Sequence, residues 1–428
     1  MPPLRPAGRL LYALGGFGAS LLQQSVLLWI FFFYAPPPGQ PLPTRATPVV
    51  VGLAMAAGRV VDAVADPLVA HWSDGLRSRF GRRRPFILAA SPPLAACFIL
   101  LWYPPAAAAT RGNALYLTVV LGLFFFLYTM VLNPYTALLP EITAGGVGRV
   151  AVTSLQAAFN LAGLAAAFVG SSWLSARLGF PAMGLLLAPV ALAGLLAPVF
   201  AVRETVPTEP PRALRTSLRA VFSDRRFRIF IPAIATAWFG LSMVNLSLAL
   251  IVTTLMGLSQ AAVGVVLAAS LGVTILSLPL TGIAVRRRGT RWALIAAMIV
   301  LAAFLVPAAA IGRWPVPLTA TMQGYLVLIA AAPFIGALFV LPNALLAGIA
   351  EDHAREGGGR LEGMFFAFQG LIFNAATSLS AAALGGLLEW LGQGPPEALG
   401  LRTALLVAAA STAGGALIFR RYPTAGQT

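Results

Sequence analysis

Residues 58–86 read GRVVDAVADPLVAHWSDGLRSRFGRRRPF, and this stretch carries charged residues in two different settings. Arg59, Asp62 and Asp66 lie inside an apolar run that is long enough to cross a bilayer, whereas Asp74 and the arginines of 77–84 follow that run. An ionisable residue inside a transmembrane helix is costly and marks a functional site by default. The three charges inside the run are therefore the first functional candidates.

The composition indicates a polytopic membrane protein. Of the 428 residues, 59% are apolar and only 10% are charged, which leaves too few polar residues to cover a water-soluble chain of this size. The net charge is +16, but the arginines cluster between apolar runs and form no basic domain, so we expect no nucleic-acid partner. The single cysteine, Cys97, lies in an apolar run, which excludes a disulfide framework and a cysteine metal site.

Twelve apolar windows are long enough to cross a hydrocarbon core about 30 Å thick, which takes roughly 20 residues. They cover 10–34, 49–72, 85–104, 113–139, 151–174 and 181–202 in the first half, and 227–255, 260–285, 291–312, 323–348, 363–389 and 399–420 in the second. Each is expected to be helical, because lipid offers no hydrogen-bond partner to free backbone groups. The sequence therefore predicts an all-α protein with twelve transmembrane helices.

The distribution of arginines predicts the orientation of these spans, since cytoplasmic loops carry the basic excess. Twenty-three of the 29 arginines lie in the N-terminus, the loops after even-numbered spans and the C-terminus, whereas five lie in the opposite loops. We therefore expect a multi-pass protein of the cell membrane, inner or plasma, with both termini in the cytoplasm.

The longest polar segment between spans, residues 203–226, predicts a cytoplasmic linker between two six-helix bundles, 1–202 and 227–428. A weak repeat supports this division, because RRRG at 286–289 follows span 8 much as GRRR at 81–84 follows span 2. Repeats in corresponding positions of two halves are typical of secondary transporters.

The architecture and three local motifs resemble a known family. Twelve spans in six-plus-six order resemble the major facilitator superfamily, and GRVVDAVADP at 58–67 resembles the span-2 signature of its glycoside-pentoside-hexuronide:cation symporters, the melibiose permease-like transporters. The basic loop at 78–87 is similar to that of sucrose transporters, and NPYTALLPE at 133–141 resembles the span-4 ending of bacterial members. The resemblance implies the two-bundle fold of that superfamily and cation-coupled symport by alternating access.

The geometry of span 2 indicates an ion site independently of that resemblance. At about 100° per residue, Arg59 and Asp62 lie about 60° apart and Asp62 and Asp66 about 40° apart, so all three face one side of a helix. Arg59 can neutralise one carboxylate, which leaves a formal charge of −1 that suits a sodium ion or a proton. The alternative is that these charges only hold neighbouring helices together.

The resemblance implies the ligands of that ion. Asp62 and Asp66 match the two span-2 carboxylates of the family, Thr129 falls where a family threonine contributes a ligand, and Arg59 is the charge partner. Carboxylate and hydroxyl oxygens are hard ligands that suit a small alkali cation. The expected coupling ion is Na⁺ or H⁺, and no cofactor and no other metal are expected.

The sugar-binding positions of the family are altered. Ser20 and Leu132 stand where melibiose permease-like members carry aspartates, and Gln156 stands where they carry an arginine. Uncharged side chains remain as candidates for binding the solute: Ser20, Gln23, Trp29, Tyr128, Asn133, Gln156, Asn160, Trp238, Gln369 and Asn374. They could hold a neutral polyol or the polar end of an amphiphile, or serve only in helix packing.

The basic loop after span 2 has two expected roles. It favours insertion with this side in the cytoplasm, and the superfamily resemblance implies charge pairs that close the cytoplasmic side. The gate candidates are Asp74, Arg77, Arg82, Arg83, Arg84 and Glu141. The acidic segment 351–362 after span 10 is expected to be a solvated loop, with contact to the linker arginines as the alternative.

Two classes of transport remain open. The leading one is cation-coupled symport of a small neutral solute, a sugar or glycoside by family resemblance, by a monomer in the lipid bilayer. The alternative is a transporter or flippase of an amphiphile such as a lysophospholipid, or an exporter of drugs or metabolites. An enzyme or ATP-driven pump is not expected, because no metal-binding histidine pair, no Gly-flanked serine with a base and no Walker-type loop is present.

Overall fold

The computed structural model describes residues 6–76, 78, 80–139, 145–201, 222–358, 361–394 and 397–423. The side chains of 74, 145–150, 357, 358 and 362 lie outside this description. Within the described ranges the regular structure is entirely helical.

The first half forms six helices. Four are separated by turns and loops: α1 is Pro6–Tyr34, α2 is Pro48–Gly75, α3 is Arg84–Leu100 and α4 is Arg111–Ala137. The stretch Gly145–Ala201 breaks at Gly179, where φ is +83°, into α5 (145–178) and α6 (180–201). Glycine adopts this left-handed backbone without strain, so a single residue replaces the loop expected between spans 5 and 6.

The second half forms six more helices. α7 is Arg225–Leu250 with a π-helical turn at Ile251–Leu255, and Gln260–Ala309 breaks at Gly289 into α8 (260–288) and α9 (290–309). α10 is Ala320–His353 with a π-helical turn at Ala354–Gly358, α11 is Glu362–Leu391 and α12 is Leu399–Phe419.

Most of these helices are long and apolar enough to cross a membrane. Nine helical stretches of the described chain meet that description, two of them about twice the usual length, and Arg84–Leu100 is a shorter apolar helix. Each of the two long stretches contains two spans separated by a glycine, Gly179 or Gly289. The described ranges therefore contain twelve helices. The predicted all-α polytopic fold is confirmed.

Capping residues define the first residue of some helices, which the hydropathy windows locate only approximately. The side chains of Thr110 and Thr319 accept hydrogen bonds from the backbone of Asn113 and Met322, at 3.1 and 3.3 Å. Such caps satisfy backbone donors that the first turn leaves free. α4 and α10 therefore begin two or three residues before their hydrophobic windows.

The described residues divide into two compact units. The first holds the described residues up to Ala201 together with Ser259–Ala268, and the second holds 222–258 and the described residues from Ala269 on. In the first unit α1 packs along the α5–α6 stretch and α2 packs on α4. In the second, α7 packs on α11 and α12. The predicted linker at 203–226 stays a prediction, since 202–221 lie outside the described residues.

The acidic segment after α10 differs from the expected solvated loop. Its residues continue the helix to Gly358, and Arg226 at the start of α7 forms ion pairs with Asp352 at 3.2 Å and Glu356 at 2.6 Å. This pairing agrees with the alternative expected from the sequence, contact of the acidic segment with a linker arginine.

Candidate functional site

The charged face of α2 lies against α4 in the first unit. The two helices approach closely at Gly58, where a Cβ atom would lie only 2.6 Å from the ring of Phe125. The guanidinium of the next residue, Arg59, lies over that ring at 4.3 Å from its centroid, a favourable cation–π contact. The close approach thus brings the charges of α2 onto the polar side chains of α4.

Asp62 is paired on both of its carboxylate oxygens. Arg59 lies 3.3 Å from one oxygen, and the hydroxyl of Thr129 on α4 donates to the other. Arg59 and Asp62 are only 5% and 6% exposed, so this pair is held inside the protein. Buried charges of this kind persist only when they are paired and hydrogen-bonded. The structure therefore brings together three of the four residues predicted to form the ion site.

Asp66 lies one turn further along α2 in a different environment. The side-chain amide of Asn133 donates to its carboxylate and to its backbone carbonyl, both at 3.1 Å. Its side chain is half-buried, and no basic residue in the described part of the chain forms an ion pair with it. The carboxylate of this helix face that lacks an ion-pair partner among the described residues is therefore that of Asp66.

A polar contact chain continues from Arg59 to α1. The amide orientation of Gln23 that satisfies both neighbours places its oxygen 3.3 Å from each terminal nitrogen of Arg59. In that orientation its nitrogen donates to the hydroxyl of Tyr128 at 3.1 Å. Of the predicted solute-binding residues, Gln23 therefore contacts the charged pair directly and Tyr128 is connected to it through Gln23.

A second group of predicted solute-binding residues lies between α1 and α5. The hydroxyl of Ser20 donates to the side-chain oxygen of Asn160 at 3.4 Å. Gly16 makes room for this contact, because a Cβ atom there would lie 2.3 Å from that oxygen and 3.5 Å from Cγ of Gln156. Gln156 is half-buried and Asn160 is exposed, so these amides lie at the edge of the helix interface.

Trp29 differs from the expectation that it contacts the solute. Its side chain is fully buried, and the indole nitrogen donates to the hydroxyl of Ser171 at 2.8 Å. The ring packs edge-on against Phe32 and Phe180. These contacts leave no face of the ring for a solute, so Trp29 is a core residue of the first unit.

The remaining solute candidates lie in the second unit. Trp238 on α7 stacks in parallel on Phe373 of α11, with ring centroids 3.9 Å apart, and meets Phe339 edge-on at 5.5 Å. Gln369 is 3% exposed, and its amide nitrogen has no hydrogen-bond partner among the described residues. Asn374 is half-buried.

The basic loop contacts the end of α4. A terminal nitrogen of Arg83 donates to the carbonyl of Ala137, the last residue of α4, and Arg83 is only 8% exposed. Cations are favourable at helix C-termini, where carbonyls lack partners and the dipole is negative. Arg82 and Arg84 are half-buried. Among the other gate candidates, Arg77, Glu141 and the side chain of Asp74 lie outside the described residues.

Sequence reasoning missed Phe125, Gly58 and Gly16, which position the polar groups. One signal was available for Phe125, because it precedes Thr129 by one helical turn and shares its face of α4. The two glycines carried no local signal, since their role depends on the helix packed against them.

Comparisons with known proteins agree with this architecture. Residues 11–424 match the family model described as MFS/sugar transport protein. The inner membrane symporter YicJ of Escherichia coli is 26% identical over 226 residues, which cover 51% of this chain and 48% of YicJ. The putative glycoside/cation symporter YagG of the same organism is 30% identical over 155 residues, 35% and 32% of the two chains.

A third relative and two solved structures complete the comparison. An uncharacterised symporter of Synechocystis sp. is 29% identical over 160 residues, 36% of this chain and 28% of that protein. The matched region therefore spans about half or less of these curated relatives. Two crystal structures of the nucleoside transporter NupG, one of a point mutant, superpose with TM-scores of 0.69 and 0.68 at 14% identity. Both superpositions cover 98% of this chain, and they cover 98% and 99% of the two NupG chains. At this low sequence identity they show a likeness in fold alone.

These matches confirm the resemblance to the major facilitator superfamily and its glycoside/cation symporters. They are membrane transporters and not enzymes. The chain belongs to the MFS/sugar transport protein family.

Proposed function

We propose that this protein is a cation-coupled symporter of a small neutral solute, a sugar or glycoside, which works by alternating access in the cell membrane. One observation carries this proposal: Asp66 holds a carboxylate without a basic ion-pair partner among the described residues, one turn from Asp62, which is paired with Arg59. An unpaired charge within a membrane span is costly and calls for a counter-ion. A bound Na⁺ or H⁺ supplies one.

The donor atoms around Asp66 fit such an ion. Asp62, Asp66 and Thr129 offer carboxylate and hydroxyl oxygens, the hard ligands that Na⁺ takes, and Asp66 alone could accept a proton. Arg59 already neutralises Asp62, so binding one monovalent cation brings this face of α2 to neutrality. Ion binding would in this way remove the charge that opposes movement of the site through alternating access.

The proposed solute follows from the uncharged polar groups of α1 and α5. Ser20, Gln23, Gln156 and Asn160 present hydroxyl and amide groups on α1 and α5, which suit hydrogen bonds to a neutral polyol. The relative YagG is named a putative glycoside/cation symporter, which supports a sugar or glycoside. An amphiphile remains the alternative to be decided by transport.

Uptake into proteoliposomes tests the coupling. We expect the purified protein to accumulate one member of a panel of mono- and disaccharides when a Na⁺ or H⁺ gradient is imposed. Asp66→Asn should abolish this accumulation while solute exchange without a gradient continues. Glu397→Gln, which neutralises an exposed carboxylate between α11 and α12, is the control and should accumulate solute normally.

Two outcomes would reject parts of the proposal. Gradient-driven accumulation that is unchanged in Asp66→Asn would remove the coupling role of that residue. Transport of lysophosphatidylcholine with none of the sugars would replace the sugar with an amphiphile.

The orientation is proposed on the arginine distribution. With Cys97 replaced by serine, an impermeant maleimide should label Arg111→Cys but not Arg421→Cys in intact cells. Labelling in the reverse pattern would place both termini outside the cytoplasm.

A further inference from the structure

A groove of about 400 Å³ opens between α8 and α10 in the second unit. Its walls are mostly apolar and include Leu278, Val285 and Leu341. Arg286, near the C-terminal end of α8, and Thr290, the first residue of α9, line the polar end of the groove. The proposed transport site uses none of these residues.

The groove exists because α8 and α10 are in contact near Thr274 and lie further apart near Gly282. The hydroxyl of Thr274 donates to the carbonyl of Ala332 at 3.1 Å, and a Cβ atom on Gly336 would lie 2.8 Å from Cγ2 of Thr274. Two turns further along α8, a Cβ atom on Gly282 would meet no described atom within 4 Å. Small side chains at Gly282 and Ala344 keep this space open.

Positive charge is concentrated at the polar end of the groove. Arg286, Arg287 and Arg288 are all exposed, and no carboxylate in the described part of the chain forms an ion pair with Arg286 or Arg287. Arg288 lies over the ring of Trp292, at 4.4 Å from its centroid, and Trp292 is itself 43% exposed. Arginine beside exposed tryptophan is typical of the membrane–water interface.

We propose that this groove binds an anionic glycerophospholipid, with an acyl chain along the apolar walls and the phosphate at Arg286. The two chemical features select this class together. A neutral lipid would leave Arg286 without a counter-charge, and a free phosphate would leave the apolar walls unused. Basic pockets between transmembrane helices are known to hold anionic lipid headgroups.

The charge requirement is tested on the purified full-length protein in mild detergent, by native mass spectrometry with added lipid. We expect phosphatidylglycerol to bind more tightly than phosphatidylcholine with the same acyl chains. Arg286→Gln should weaken phosphatidylglycerol binding on the order of fivefold, the effect of one interfacial arginine. Arg228→Gln removes an exposed arginine of α7 and should bind as the unsubstituted protein does.

The shape requirement is tested by filling the groove. Gly282→Leu has space for its side chain and should lose the phosphatidylglycerol adduct without losing the fold, as judged by melting temperature. Gly272→Leu is the matched control on the same helix, since a Cβ atom there also meets nothing within 4 Å, and should keep the adduct.

Three results would overturn the proposal. Equal binding of phosphatidylglycerol and phosphatidylcholine would remove the role of Arg286, and displacement of the lipid by equimolar inorganic phosphate would reassign the site to a free anion. A dimer that is lost in Gly282→Leu, with lipid binding unchanged, would assign the groove to a second copy of the chain.

Discussion

The carboxylate of Asp62 accepts a hydrogen bond from Thr129, and its second oxygen lies 3.3 Å from Arg59. One turn away, the carboxylate of Asp66 accepts a hydrogen bond from the amide of Asn133 and from no other described side chain. The two aspartates of α2 are therefore not equivalent, although the sequence motif presents them as a matched pair. Asp62 is held by two protein groups, and Asp66 is the carboxylate that we propose binds the ion.

Thr129→Val should weaken cation binding about tenfold, because it removes an oxygen ligand and leaves a buried Asp62 oxygen without its donor. The same change should lower the free energy of unfolding by about 1–3 kcal/mol. Titration of the melting temperature with NaCl at constant ionic strength measures both, since a bound ion stabilises by about 2.7 kcal/mol at 100 times its Kd.

Thr118→Val is the control on the same helix. The hydroxyl of Thr118 donates at 2.9 Å to the carbonyl of Ala114 in its own helix, so its removal should leave the sodium response unchanged. If Thr129→Val and Thr118→Val respond to sodium identically, Thr129 has no part in ion binding.

Gly16→Ala should displace Asn160 and reduce solute binding while the protein stays folded. The new methyl group would lie 2.3 Å from the side-chain oxygen of Asn160, and this flexible side chain can rotate away. Gly18→Ala would instead press on the backbone oxygen of Ala191, at 2.4 Å, and should lower the melting temperature strongly. Measurement of solute affinity and melting temperature separates the two effects. Solute affinity unaltered by Gly16→Ala would exclude Asn160 from the site.

The charged face of α2 could be predicted from sequence because its geometry is local. Arg59 and Asp62 are one turn apart on any α-helix, so their ion pair follows from spacing alone. The different partners of the two aspartates could not be predicted, because Thr129 and Asn133 lie 67 positions away in the sequence, on another helix. Local patterns determine a face, whereas packing determines the partners of each group on it.

The dependence on packing also explains the other differences between the sequence-based predictions and the structure. Tryptophan is a residue type that often binds solutes, but the side chain of Trp29 is enclosed by Ser171 and Phe180 of the neighbouring helices. Hydropathy found twelve spans, yet it could not show that Gly179 joins two of them without a loop. Both outcomes depend on the arrangement of helices and not on their composition.

Arg83→Gln should lower the free energy of unfolding by about 1–2 kcal/mol, because the guanidinium binds the C-terminal carbonyl of α4 in a partly buried setting. Arg111→Gln removes an exposed arginine from the first turn of the same helix, where a positive charge opposes the dipole. That control should be neutral or slightly stabilising. Thermal unfolding in detergent compares the variants, and equal destabilisation by both would contradict a capping role for Arg83.

Gln369→Met should abolish solute-dependent stabilisation without destabilising the protein. The amide nitrogen of Gln369 is buried without a partner among the described residues, and such a group costs about 1–3 kcal/mol. Methionine has a similar volume and removes that cost, so the melting temperature should stay level or rise. We expect the solute to complete the hydrogen bonds of this amide.

Gln323→Met is the matched control, since Gln323 is equally buried but fully bonded. Its oxygen accepts from the backbone of Gly312 at 2.7 Å, and its nitrogen donates to the carbonyl of Leu318 at 2.8 Å. This substitution should lower the free energy of unfolding by about 1–3 kcal/mol because it leaves backbone groups without partners. If Gln369→Met destabilises the protein as much as Gln323→Met does, the Gln369 amide has a structural partner and does not bind the solute.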